Sequence, residues 1–142
     1  MRDSNRPVEV LLIEDNEADV ELVREGLGGT GAAFNLKVIG NGREALNFLE
    51  AKKTLPGFII LDLNLPGVNG FELLKTLKSN ADLREIPVVI FSTSSAKRDV
   101  QRAYQLSANG YVRKPADLDE FFQAVGAIKR FWFETAALPG GA

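Results

Sequence analysis

The stretch FIILDLNLPGVNGFELLKTLKS, residues 58–79, holds one full unit of the pattern that organises the chain. An apolar run over 58–63 has strand length and is broken by one acid, Asp62. Pro66-Gly67 and Asn69-Gly70 punctuate the backbone, and a helical pattern follows over 71–79. The same order recurs on both sides. Further strands are expected at 8–13, 34–39, 88–91 and 110–112, and further helices at 17–27, 43–52, 97–106 and 118–133. Asn16 and Asp117 suit helix N-caps, Gly28-Gly29 can end the first helix, and Gly57 follows the second. In the last helix Leu118, Phe121, Val125, Ile128 and Trp132 form a stripe that should face the core.

Most of the strand runs are continuously apolar, which suits strands covered on both faces. Each parallel return needs a crossover, and crossovers are nearly always right-handed. The expectation is an α/β fold, a flavodoxin-like doubly wound five-stranded parallel sheet in the order 2-1-3-4-5 with helices on both faces. The domain should span 8–133, between a flexible N-terminus at 1–7 and a C-terminal tail at 134–142. No internal repeat or long linker interrupts it.

Composition narrows the chemistry. A chain of 142 residues, 45% hydrophobic, can bury about two-thirds of its unfolded surface in one core. Seventeen Lys and Arg against nineteen Asp and Glu lack the basic excess that phosphate-backbone binding requires, which argues against direct nucleic-acid binding. Cysteine and histidine are both absent, so disulfides, thiolate nucleophiles and imidazole bases are excluded. No apolar run approaches the length of a membrane span, and 1–7 lacks a signal-peptide core. A soluble cytoplasmic protein is expected.

Ligands of open α/β sheets bind at the carboxyl ends of the strands, so the polar residues there are the candidates. Glu14 and Asp15 follow LLI, Asp62 follows FIIL, and Ser92 and Thr93 follow VVIF. Taken alone, Glu14-Asp15 reads equally well as a solvated strand end with a helix cap. Asp62 is more telling, because an unpaired charge inside an apolar run is expensive. Two carboxylates about 5 Å apart repel by roughly 3 kcal/mol at an effective dielectric near 20, so three of them call for a counter-charge. Hard oxygen donors suit Mg²⁺, and Lys114 can add a second positive charge. The Lys114-Pro115 bond is of the kind that can be cis, which would aim the lysine inward.

Together IEDN, LDLNLPGVNG, FSTS and GYVRKP resemble a response-regulator receiver domain over almost the whole chain. The resemblance implies that Asp62 accepts a phosphoryl group from a sensor histidine kinase or a small phosphodonor. It implies Mg²⁺ held by Glu14, Asp15, Asp62 and the backbone carbonyl of Asn64, with Ser92 and Lys114 contacting the phosphoryl group. Ser92, Thr93, Tyr111 and Pro115 would form the switch, and slow self-dephosphorylation would reset it. EDNEADVELVREGL, the insert GGTGAAF and the ending KRFWFETAALP resemble the phytochrome-associated single-domain response regulators, which partner light-sensing kinases.

Three consecutive helical residues spread over about 200°, so Phe131, Trp132 and Phe133 cannot all face one core. Either this segment folds back over its own domain, or Phe122, Phe131, Trp132 and Phe133 line a homodimer interface with the fourth helix, fifth strand, fifth helix and tail. Two other functions compete with the phosphorylated switch. One is an adaptor or dimerisation module acting without phosphorylation. The other is a Mg²⁺-dependent aspartyl-nucleophile phosphatase, which is disfavoured because its second acid would fall where Asn64 stands. GLGGTG at 26–31 follows a helix and precedes a strand, the reverse of a phosphate-binding loop, and reads as a flexible loop.

Overall fold

The computed structural model describes residues 6–29, 31–51 and 53–140. Strands β1 (Val8–Ile13), β2 (Phe34–Ile39), β3 (Phe58–Leu61), β4 (Val88–Ser92) and β5 (Gly110–Arg113) alternate with helices α1 (Glu17–Leu27), α2 (Gly42–Glu50), α3 (Gly70–Ser79), α4 (Lys97–Gln105) and α5 (Leu118–Ile128). The strands pair in parallel in the order β2-β1-β3-β4-β5, the doubly wound sheet read from the alternation of segments.

The two-residue period of the strands divides the core into two layers. Leu11, Ile13, Ile59, Leu61, Val88 and Ile90 pack with α2, α3 and α4 residues such as Leu49, Leu73, Leu77 and Ala103. Val10, Leu12, Phe58, Ile60, Val89 and Phe91 meet Val23 and Leu27 of α1 and Phe121, Val125 and Ile128 of α5. β3 is buried along its whole length, as a central strand must be. The edge strand β2 alternates half-buried and exposed positions until the buried Ile39 at its end.

Asn16 Oδ1 accepts from Asp19 N–H at 3.0 Å and Asp117 Oδ2 accepts from Glu120 N–H at 3.0 Å, so both expected caps form. β3 ends two residues earlier than expected, while β4 and β5 each extend one residue further. α2 ends at Glu50, and Lys52 lies outside the described residues. Gly57 therefore closes no helix; its N–H donates to Glu9 O at 2.7 Å and opens the β1–β3 pairing.

Three further expectations are corrected. Gly26 and Leu27 belong to α1 rather than to a loop. A Cβ on Gly26 would lie 2.8 Å from Val125 Cγ1, so glycine here lets α1 and α5 approach closely. Thr30, in the same stretch, lies outside the described residues.

Leu118 is 53% exposed, because the first turn of α5 starts at the sheet's carboxyl edge and the buried stripe begins only at Phe121. After Ile128 the chain continues as a π-helical segment, Lys129–Thr135. Its wider turn carries Phe133, five residues beyond Ile128, onto the core face. Phe133 is fully buried, Trp132 is half-buried against Phe58 at 5.3 Å between ring centroids, and Phe131 is 53% exposed. Phe133 is thus a core residue and is removed from the interface set. Leu138 is buried in the same layer. Of the expected flexible N-terminus, only Arg6 and Pro7 are among the described residues.

Candidate functional site

Register assembles the site. Ile13 pairs with Leu61, so one step further Glu14 and Asp62 emerge side by side, and Asp62 N–H donates to Ile13 O at 3.0 Å. Ser92 ends β4 and is fully buried. Its carbonyl accepts from Lys114 N–H at 2.7 Å, which fixes the lysine just beyond β5. Among the described residues no peptide bond is cis, so Lys114 reaches inward across a trans bond to Pro115.

Glu14, Asp15 and Asp62 offer carboxylate oxygens that all lie within 4.8 Å of one another. Glu14 and Asp62 are buried and Asp15 is exposed. Lys114, also buried, donates from Nζ to Glu14 Oε1 at 2.5 Å, Asp19 Oδ2 at 2.9 Å and Asp62 Oδ2 at 3.4 Å. Burial pushes the Glu14 carboxyl up to about 7, against the pull of the Lys114 hydrogen bond and with help from the Asp62 charge. Burial works against the Lys114 ammonium, but its bonds to Glu14 and Asp19 prevail and its pKa is raised. The acids therefore hold a protonated lysine, while burial makes the charged form of Glu14 costly. Clustered hard oxygens fit a divalent metal ion, which would offset the charge that burial disfavours at Glu14.

The switch candidates lie on β4, β5 and the loops that follow them. Ser92 Oγ accepts from Ser94 N–H at 3.3 Å, and Thr93 is exposed. Tyr111, packed partly against the α2–α4 layer, donates its hydroxyl to Ser94 O at 2.9 Å. Asn64 is exposed, and its N–H donates to Asp62 Oδ1 at 3.3 Å.

Residues 10–126 match the response regulator receiver domain. The chain belongs to the response-regulator receiver family. This receiver is 39% identical over 142 residues to response regulator Rcp1 of Synechocystis sp., covering 96% of its own length and 97% of that protein. It superposes on the phosphorylated cyanobacterial phytochrome response regulator RcpA with a TM-score of 0.91, at 38% identity over 95% of this chain and all of the other. Against the Mn²⁺-bound form of Rcp1 the TM-score is 0.90, at 39% identity over 94% of this chain and all of the other.

Two features of the receiver site escaped the sequence reading. Asp19 is the third acid on Lys114, and its only signal was its place in the first turn of a helix that starts beside Glu14. Ser94 Oγ donates to Asp99 Oδ2 at 2.6 Å and accepts from Ala96 N–H at 3.3 Å, pinning the loop that enters α4. Ala96, at the N-cap of α4, supplies no side-chain cap of its own, so nothing local pointed to that pair.

Proposed function

We propose that this receiver is a phosphorylation-driven switch in which Asp62 accepts a phosphoryl group from a sensor histidine kinase. The observation that carries the reading is a buried Asp62 at the carboxyl edge of the sheet, within reach of both Lys114 and two further acids. A carboxylate oxygen of Asp62 attacks phosphorus; the bond to the donor's imidazole nitrogen or acyl oxygen breaks, and the leaving group keeps its electron pair. The nucleophile needs no general base, which suits a chain without histidine. Glu14, Asp15, Asp62 and the Asn64 carbonyl would hold Mg²⁺, which when bound neutralises charge on the phosphoryl oxygens. Lys114 supplies the second positive charge, and Ser92 a hydroxyl. Water attacking phosphorus later releases inorganic phosphate and restores the Asp62 carboxylate, giving slow autodephosphorylation.

The new dianion draws Ser92 and Lys114 inward. Ser92 then gives up the Ser94 N–H, and Thr93, Tyr111 and Pro115 move with the loop. Lys114→Ala should therefore still be phosphorylated but show a blunted response. The nuclear magnetic resonance shifts of Tyr111 and the α4 amides check this, and a full wild-type shift would contradict it. The kinase is of the phytochrome type, supported by similarity to Rcp1 and RcpA at 38–39% identity, and a cytoplasmic location goes with that pairing. Residues 8–133 form the switching domain, and the segment after it packs Leu138 onto the same core.

A homodimer through α4, β5, α5 and the C-terminal segment is supported by exposed Tyr104, Leu118 and Phe131 and by half-buried Trp132 against Phe131, while half-buried Phe122 lies on the α1 side of α5 near Gly26. Phe131→Asp should weaken that dimer about tenfold or more in sedimentation equilibrium. An unchanged dimer would move the interface elsewhere. The test of the phosphoacceptor reading is intact mass after incubation with acetyl phosphate, with and without Mg²⁺. A Mg²⁺-dependent gain of about 80 Da, one phosphoryl group, is expected. An unmodified protein, after acetyl phosphate and after a phosphorylated kinase, would favour an adaptor acting without phosphorylation.

A further inference from the structure

An ammonium has three N–H donors, and those of Lys114 are matched by Glu14 Oε1, Asp19 Oδ2 and Asp62 Oδ2. Glu14 and Asp62 belong to the trio whose oxygens can hold a metal ion; Asp19 does not. A divalent cation taken by that trio competes with Lys114 for the same carboxylates. The lysine side chain is only 5% exposed, and a buried charge stripped of its partners is strongly unfavourable. It needs an acceptor that the metal leaves alone. Asp19 is such an acceptor: its side chain is 23% exposed, and its backbone is held by the Asn16 cap at the start of α1.

We infer that Asp19 is a positioning residue that retains the Lys114 ammonium while a divalent cation takes over Glu14 and Asp62. The inference rests on the proposed phosphoacceptor reading, and specifically on its metal site. Asp19 lies outside the trio of clustered carboxylates and bonds Lys114, so it acts through the lysine. With Asp19 present, Lys114 releases two acids and keeps the third. Without it, Lys114 stays on Glu14 and Asp62, and the cation must displace a charge that has no alternative partner.

The test is a calorimetric titration of the full chain with Mn²⁺ alone, on wild type, Asp19→Asn, Lys114→Met and the double variant, each checked for folding by circular dichroism. Asp19→Asn should weaken Mn²⁺ binding about tenfold, in the range seen when a partner of a ligand is removed. In the Lys114→Met background the same change should have little effect, because no ammonium needs to be retained. Unchanged affinity in Asp19→Asn would overturn the inference. So would an equal loss in both backgrounds, since Asp19 would then act on the metal as a bare charge. A wild type that binds no Mn²⁺ would remove the metal reading itself, whereas a binding wild type with an unaltered Asp19→Asn removes only the role of Asp19.

Discussion

Asp62→Asn should give a folded protein that takes up no phosphoryl group, so the gain of about 80 Da with acetyl phosphate and Mg²⁺ appears in wild type alone. The amide oxygen is a far weaker nucleophile than a carboxylate oxygen, and attack would leave a positively charged adduct that collapses back. The fold should survive, because asparagine keeps the shape of the side chain and can still accept the Asn64 N–H that now meets Asp62 Oδ1 at 3.3 Å. Lys114 retains Glu14 and Asp19 as partners. One negative charge also leaves a cluster in which Asp62 pushes Glu14 upward, which offsets the lost ion pair. Thermal melting should shift by only a few degrees, about what 1 kcal/mol produces in a domain of this size. An adduct of the same mass on Asp62→Asn would place the acceptor elsewhere, and peptide mapping would locate it.

Phe133→Ala should be the most destabilising of the aromatic truncations at the C-terminal end, at about 3–5 kcal/mol. The Phe133 ring is fully buried, packed edge-to-face on Phe58 at 5.4 Å and tilted against Phe34 at 6.4 Å. Truncation empties a space lined by Phe58 and Phe34 of the sheet, in the layer that also holds Leu138, and rigid strands collapse poorly into such a cavity. Phe131→Ala, two residues away and 53% exposed, should change monomer stability by no more than about 0.5 kcal/mol. Urea unfolding at low protein concentration measures both, with the loss read from the midpoint at unchanged slope. Equal effects would mean that the π-helical segment does not hold Phe133 in the core. The difference between two neighbouring phenylalanines separates a residue that completes the fold from one left available to a partner.

The alternation of apolar runs with helical patterns was enough to read five strands, five helices and a parallel sheet covered on both faces, while the strand order followed from the expected flavodoxin-like form. That information is local: a strand buried on both faces must be apolar throughout, and a cap must be a short polar residue at the first turn. Asp62 was legible for the same reason, as an acid inside an apolar run, whereas Glu14, Ser92 and Lys114 read as well as solvated strand ends and took their roles from the family resemblance. Helix ends and loops were less legible. β3 stops at Leu61 although Leu63 continues the apolar run, because pairing with β1 and β4 ends there.

What the sequence by itself determined is therefore the periodicity of each segment, the parallel layering it forces, and the edge of the sheet where the acids gather. Only the tertiary structure decided that Lys114 shares Asp19 with the acids, 95 positions away in the chain. It also decided that the Tyr111 hydroxyl meets Ser94 O and that Phe133, rather than Trp132, fills the core. Each of these depends on distances between distant elements, or on whether a helix widens by one residue per turn. Local sequence leaves such alternatives close in energy, and packing against the finished sheet selects one of them.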